Sequence, residues 1–434
     1  MGVDLLEKTS PDKDSTKGIK IIEAPAWPSE DVVKGFSDDV DAGRLIHWGP
    51  MIAAAIIAFI SSSTTHFLLM WWPVTTIGGF LHFSIYLFWN YLTASNMINA
   101  SSNGPGRVPL GWTPPEKSHE DFLQYCTPCK GYKAPRSHHC SKCKRCSLKM
   151  DHHCPWINNC VGHRNQAWFV RFLVGAIVGC IHSAVIHCIC FYHAIHISYY
   201  MKYGDGTEPV IEMNIWAAVA LIGSFGFSCG VSIGLSVLLY MQIKYILKNR
   251  TGIEEYIDSK ALARRDDDDD DEEAQWVYPY DIGWRRNLYE VLSTFSGHTL
   301  GNGIWWPVVA SCDQYTLTSE QLRQKELKRS NARIVLIQDD FKGGVFGSIK
   351  FGLKVFCCQP WSEDPRIPVN KSEKWIVTRG QKHWLYGHKK GSEKTKGYFP
   401  RCIAQLLPEK PYEDTPSPQR EVDTGVTEEE PSST

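Results

Sequence analysis

Seven cysteines and five histidines crowd into one stretch, CTPCKGYKAPRSHHCSKCKRCSLKMDHHCPWINNCVGHRN, running from Cys126 to Asn165. The spacing is C-x2-C-x9-H-C-x2-C-x2-C-x4-D-H-H-C-x5-C. Two-residue gaps let consecutive thiolates curl around one ion, and zinc in structural sites takes four thiolate or imidazole ligands. Two equal three-cysteine sites leave one of the seven over. Cys154 is the natural remainder, because it follows Asp151, His152 and His153. A carboxylate and an imidazole beside a thiol are what nucleophilic cysteine chemistry needs.

The chain has 434 residues, 43% hydrophobic and 21% charged, and a formal net charge of -1. That balance gives no general argument for a nucleic-acid partner. The opening MGVDLLEKTS is polar, so no cleavable leader is expected, and its sixth residue, Leu6, departs from the Ser or Thr of an N-myristoylation signal.

Four apolar stretches are long enough to cross a bilayer, at about Met51–Trp72, Val74–Ile98, Ala167–Ile197 and Ile215–Ile246. Lysines and arginines concentrate between the second and third, from Arg107 to Arg164. By the positive-inside rule that loop is cytosolic, and an even number of spans puts both termini there too. A cytosolic loop is also a reducing place, where clustered cysteines bind metal rather than form disulfides. The cations nearest in sequence to Cys154, namely Arg136, Lys142, Lys144 and Arg145, are suited either to the phosphates of a ligand or to fixing topology. Histidines in or near the spans, among them His82, His182 and His187, have no acidic partners of the kind a transport pathway would use.

Beyond the spans, Asp266–Glu273 reads as a solvated acidic loop. ARIVLIQDDF, IKFGLKVFC, KWIVTRG, HWLYGH and GYFPRCIAQLL then read as strands of a small β-barrel in which Trp375, Trp384 and Tyr386 line a groove. Adjacent cysteines are hard to hide on both faces of a strand, so at least one of Cys357 and Cys358 should be exposed, and both are candidates for S-acylation. The tail, with almost no apolar residues, is expected to be disordered.

The cysteine-rich segment resembles that of the DHHC protein acyltransferases at every metal and catalytic position. Thr251-Gly252-Ile253-Glu254 is similar to that family's Thr-Thr-x-Glu motif, departing from it at Gly252, and Tyr278–Gly283 with Asn287 resembles its C-terminal block. The strands ending in Gly397-Tyr398-Phe399-Pro400 resemble an SH3 domain, pointing to the SH3-carrying branch of the family, with likeness from about Asp41 to Leu407.

The resemblance implies two structural zinc ions, one held by Cys126, Cys129, His139 and Cys146, the other by Cys140, Cys143, His153 and Cys160. It further implies that Asp151 orients His152, that His152 is general base, and that Cys154 takes a long acyl chain from acyl-coenzyme A and passes it to cysteines of membrane-associated proteins, with Trp156 covering the thioester. The endoplasmic reticulum is the membrane it suggests, and an SH3-like domain invites an adaptor protein.

The fold expected is an α-helical polytopic membrane protein of four transmembrane helices with a cytosolic zinc-binding cysteine-rich domain and a C-terminal SH3-like β-barrel. Its parts are a cytosolic N-terminal segment (1–48), spans one and two (49–98), the zinc domain (99–166), spans three and four (167–247), a juxtamembrane segment (248–312), the SH3-like domain (313–408) and a disordered tail (409–434). The rival from another class is a non-enzymatic membrane scaffold that recruits partners through the zinc loop and the barrel.

Overall fold

The computed structural model describes residues 20–24, 40–267, 276–293, 300–362 and 364–409. Most of the N-terminal segment, all but the first two residues of the acidic run, and the tail from 410 on lie outside them. The chain divides into two compact units, 1–319 and 320–434.

The first unit is built on long helices: α1 (Trp48–Trp71), α2 (Ile77–Ser102), α3 (Gln166–Ile195), the short α4 (Ile197–Tyr203) and α5 (Ile215–Leu247). Three of the starts are capped by a side chain. The His47 ring accepts from Gly49 N–H, Thr76 Oγ1 from Gly79 N–H, and Asn214 Oδ1 from Ala217 N–H, filling donors a helix leaves open at its first turn. Pro73 ends α1, and the reversal into α2 is so tight that a Cβ on Gly79 would lie 2.2 Å from the Pro73 carbonyl oxygen.

Three of these helices, α1, α3 and α5, are long and apolar enough to cross a membrane. Large apolar side chains stay exposed along them, such as Ile52, Ile181, Trp216, Ile222, Ile233 and Val237. Apolar surface on that scale is stable only against lipid, and the protein is a membrane protein. The second expected span forms one 26-residue helix, α2, but Asn90, Asn96 and Asn99 lower its apolar content. Their NH2 groups donate back to the carbonyls of Tyr86, Leu92 and Ser95, so these donors are satisfied within the helix. α2 lies along α3, where Gly175 lets the helices approach until a Cβ would meet Thr93 Oγ1 at 3.0 Å.

Between α2 and α3 the chain folds into three small antiparallel hairpins: β2 (Tyr125–Cys126) with β3 (Gly131–Tyr132), β4 (His138–Cys140) with β5 (Arg145–Ser147), and β6 (His152–Cys154) with β7 (Asn159–Val161). After α5 come α6 (Gly252–Asp267) and α7 (Trp284–Leu292), then β8 (Val308–Val309). β8 pairs with an N-terminal strand, β1 (Ile21–Ile22), which a bidentate Arg286–Glu23 ion pair also holds.

The second unit begins within α8 (Thr316–Ser330) and carries a five-stranded antiparallel sheet. Its strands are β9 (Arg333–Ile337), β10 (Lys374–Gly380), β11 (Trp384–Lys389), β12 (Ser392–Pro400) and β13 (Ala404–Leu406), in the order β12-β11-β10-β9-β13. Two expectations fail here. IKFGLKVFC is not a strand: Phe346–Phe351 is a 3-10 helix and Leu353–Cys357 a short helix, α9, parted by Gly352 at φ 106°. Nor do Trp375, Trp384 and Tyr386 line an open groove. All three are buried in the core, with Trp384 Nε1 donating to the Val355 carbonyl on α9 at 3.1 Å, so the helical segment covers the site.

Candidate active site and metal clusters

The two metal-type clusters repeat one construction. A turn supplies a pair of thiols, Cys126 and Cys129 or Cys140 and Cys143. The next hairpin supplies a facing pair, His139 opposite Cys146 on β4–β5 or His153 opposite Cys160 on β6–β7. Lys130 and Lys144, at φ 51° and 58°, make the left-handed step that lets the chain turn away after each thiol pair.

In each cluster the four ligand atoms lie within 4.8 Å of one another. His139 Nδ1 is 3.4 Å from both Cys126 Sγ and Cys129 Sγ and 3.9 Å from Cys146 Sγ. His153 Nδ1 is 3.6, 3.4 and 3.8 Å from Cys140, Cys143 and Cys160. Tetrahedral zinc with its usual bond lengths places nitrogen and sulfur about 3.6 Å apart, so both clusters fit the ion. Burial pushes the Cys146 thiol up, with Cys126 and Cys129 adding to it, and the neighbouring Cys140 and Cys143 push Cys160 up. A full set of thiolates therefore needs a cation among them.

The β6 strand explains how one His-His-Cys run serves two purposes. Side chains alternate along a strand, so His153 turns to the metal cluster while His152 and Cys154 share the opposite face. His152 Nδ1 lies 2.7 Å from Asp151 Oδ2. Asp151 is buried and held from two further directions: Gln242 of α5 donates to Oδ2 at 2.8 Å, and the Gly252 backbone N–H donates to Oδ1 at 2.6 Å. Burial works against its charge, but these donors outweigh it and hold the carboxyl below its ordinary range. Burial likewise pulls His152 down. Its hydrogen bonds to Asp151 and Cys154 prevail and raise it to about 9. An imidazole so placed is within reach to exchange a proton with the neighbouring Cys154 side chain.

Cys154 opens on an apolar cavity of about 270 Å³ between the helices. Ile57 and Ile60 of α1, Tyr86 and Asn90 of α2, Phe172 and Ala176 of α3, and Leu235 of α5 are among its walls. Trp156 lines the same cavity, half-exposed and edge-on to Trp48 with ring centroids 5.9 Å apart. The start of α1 abuts this loop: a Cβ on Gly49 would come 1.9 Å from the Pro155 carbonyl oxygen.

The four cations nominated for phosphate do not behave alike. Arg136 is corrected by the structure: its side chain is fully buried, with Nε and Nη2 each 2.7 Å from the Glu254 carboxylate and Nη1 and Nη2 on Asn249. The rings of Tyr280 and Trp306 lie 4.3 and 4.6 Å from its guanidinium carbon. It is an internal brace, out of reach of a phosphate. Arg145 is half-buried and donates to the Val108 carbonyl, whereas Lys142 and Lys144 are exposed.

The motif around Thr251 owes its role to the same brace. Thr251 Oγ1 accepts from Glu254 N–H and Glu254 accepts from Thr251 N–H, a reciprocal cap on α6 that aims Gly252 N–H at Asp151. The contact at position 252 is made by backbone, so the absent threonine side chain is not needed for it. Tyr278 donates to Glu254 at 2.9 Å, and Asn287 Nδ2 donates to the Leu247 carbonyl at the end of α5. The C-terminal block thus braces Glu254 and the end of α5.

Sequence reasoning missed Gln242 as a partner of Asp151, although a lone amide in an apolar helix was a usable signal. It also missed the Arg136–Glu254 pair, whose members are 118 residues apart. In the second unit Cys357 and Cys358 are both exposed, at the end of α9. Of the span histidines, His82 and His182 meet at 3.1 Å, and His187 meets Ser63 at 3.0 Å.

Residues 119–259 match the model of the DHHC palmitoyltransferase family. Palmitoyltransferase ZDHHC6 of Danio rerio is 39% identical over 385 residues, covering 84% of this chain and 92% of that protein. The Homo sapiens protein of the same name is 38% identical with the same coverage. Probable protein S-acyltransferase 16 of Arabidopsis thaliana is 33% identical over 252 residues, 56% of this chain and 82% of its own length. With an aspartate-held imidazole beside a cysteine at the mouth of an apolar cavity, and with relatives matched over nearly their whole length, the chain belongs to the DHHC palmitoyltransferase family and is a protein S-palmitoyltransferase.

Proposed function

We propose that Cys154 carries the acyl group in a two-step exchange between acyl-coenzyme A and cysteines of membrane-associated proteins. The observation that carries this reading is the shared face of His152 and Cys154 at the cavity mouth, with Asp151 fixed behind them. In the first step His152 takes the Cys154 proton, the thiolate attacks the thioester carbonyl, the bond to the coenzyme A sulfur breaks, and that sulfur leaves with the proton from His152. In the second a substrate thiol gives its proton to His152 and attacks the acyl-Cys154 carbonyl. Cys154 leaves as thiolate and is reprotonated. One thioester replaces another, so no further energy source is required.

The apolar cavity suits the acyl chain, whose transfer from water is favourable by about 0.8 kcal/mol per methylene. Trp156 is placed to cover the thioester, and the exposed Lys142 and Lys144, with Arg145 beside them, are the cations left to meet coenzyme A phosphates. Zinc at the two clusters would lock the hairpins that carry Asp151, His152 and Cys154, a structural service.

The reading takes α2 as the fourth span, supported by its length and by asparagine NH2 groups that donate back into the helix. The cation-rich loop then faces the cytosol with both termini. We place the protein in the endoplasmic reticulum membrane, treat the five-stranded sheet as an SH3-like domain able to recruit an adaptor protein, and take the exposed Cys357 and Cys358 as S-acylation sites.

The test is acyl-enzyme formation with labelled palmitoyl-coenzyme A. Hydroxylamine-sensitive label should appear on wild type and vanish in Cys154→Ser. Equal label in both, or none in either with zinc retained, would turn the argument toward the scaffold reading.

A further inference from the structure

The helical segment that covers the sheet of the second unit has two unlike faces. In the 3-10 turn Phe346–Phe351, residues three apart stack on one side, so Ser348 and Phe351 face inward while Phe346 and Ile349 face out. In α9 the buried Val355 anchors the turn, and Leu353 and Cys357, four apart, point outward together. Phe346 and Phe356 approach with ring centroids 6.3 Å apart, joining the two outward faces. Phe346 is 78% exposed, Leu353 76% and Trp361 wholly exposed. The loop that presents Trp361 is built rather than slack: Arg366 donates to the carbonyls of Pro360, Ser362 and Asp364, and Gln359 donates to Ser348 Oγ.

Apolar side chains held out of the core on a braced scaffold mark an interaction surface. Charge says which kind. From Phe341 to Trp361 there are three lysines, Lys342, Lys350 and Lys354, and no carboxylate. Lys350 reaches Asp339 at 3.1 Å, where both side chains remain more than half exposed. Outward phenylalanine, leucine and tryptophan interleaved with lysine suit the interface of an anionic leaflet, where aromatic rings settle among headgroups and each cation gains from the surface potential. The chain's own spans tether it to a bilayer.

We propose that the outward face of residues 345–361 docks on the anionic leaflet of the membrane in which the protein is embedded, with Phe346, Leu353 and Trp361 entering the interface and Lys342 and Lys354 at its rim. The docking is independent of any acyl group on Cys357 or Cys358.

Hydrogen exchange on the full chain tests it, in nanodiscs holding one chain each and in a Cys357→Ala/Cys358→Ala background. Backbone amides of 345–358 should exchange at least about tenfold more slowly in discs containing phosphatidylserine than in the Phe346→Glu/Leu353→Glu variant in the same discs. Lys342→Glu/Lys354→Glu keeps the apolar face and should lose much of the protection, as should discs of phosphatidylcholine alone. The exchange of β10 reports on the fold; if the first variant disturbs it, the lysine variant decides. Equal exchange in wild type and the lysine variant in anionic discs overturns the proposal. Protection that appears only with two chains per disc also overturns it, in favour of a contact between copies.

Discussion

Replacing Arg136 by methionine separates two roles that its place in the cysteine-rich loop suggests equally well. If Arg136 met coenzyme A, the variant would fold normally and bind acyl-coenzyme A weakly. The structure predicts the reverse. Arg136 and Glu254 are each fully buried, joined by two hydrogen bonds of 2.7 Å, and the guanidinium also serves Asn249. Methionine fills much of the space but leaves the Glu254 carboxylate without its cation, and breaking a buried pair from one side costs about 3–5 kcal/mol. Tyr278 and the Thr251 N–H still donate to Glu254, which argues for the lower half of that range. For the unit of residues 1–319 each kcal/mol lowers Tm by about 1.5 °C, so a fall of about 5 °C is expected. The assay is thermal unfolding of the detergent-solubilised protein beside the KM for palmitoyl-coenzyme A measured well below Tm, where KM should stay within about twofold, since uniform binding is untouched. An unchanged Tm with a KM raised tenfold would refute the reasoning.

Three further outcomes follow from the same geometry. Gln242→Leu removes one donor to Asp151 and should slow acyl-enzyme formation by about tenfold or more, as loss of a hydrogen bond to a charged group implies; an unaltered single-turnover rate would show that the amide only packs. His152 is raised from 6.5 to about 9, so the stability it contributes is complete below pH 6.5 and is lost as pH rises through about 9. The Tm gap between wild type and His152→Gln should therefore narrow over that window, and a gap that stays constant or widens contradicts the pairing. Ala176→Phe fills part of the cavity from α3 and should shift preference from palmitoyl to shorter acyl groups when acyl-coenzyme A substrates compete; an unchanged preference would place the chain elsewhere.

Local chemistry was legible in the sequence, and distant pairing was not. The thiol spacing pointed to metal binding, and the two ligand sets that the family resemblance implies are the ones the fold brings together. The helices Gln166–Ile195 and Ile215–Leu247 begin and end within a few residues of the bounds expected for the third and fourth spans, and β10 coincides with KWIVTRG. Apolar composition alone misjudged IKFGLKVFC: Gly352 breaks the extended run, and Val355 packs inward from a helical turn. Arg136 was misread because its partner lies 118 residues away, beyond any local pattern. Gly252 was read as a lost side chain, yet its contribution is a backbone N–H that every non-proline residue offers.

The central claim is that the acyl group rests on Cys154 on its way to the substrate, and a pulse-chase tests it most directly. Protein loaded with a brief pulse of labelled palmitoyl-coenzyme A is freed of excess, a cysteine-containing membrane-associated substrate is added, and peptides of both proteins are followed by mass spectrometry. The account predicts label on the peptide bearing Cys154 that passes to the substrate at the rate of steady turnover, with none on that peptide in Cys154→Ser. Label that stays on Cys154 while the substrate is acylated from fresh acyl-coenzyme A would contradict it.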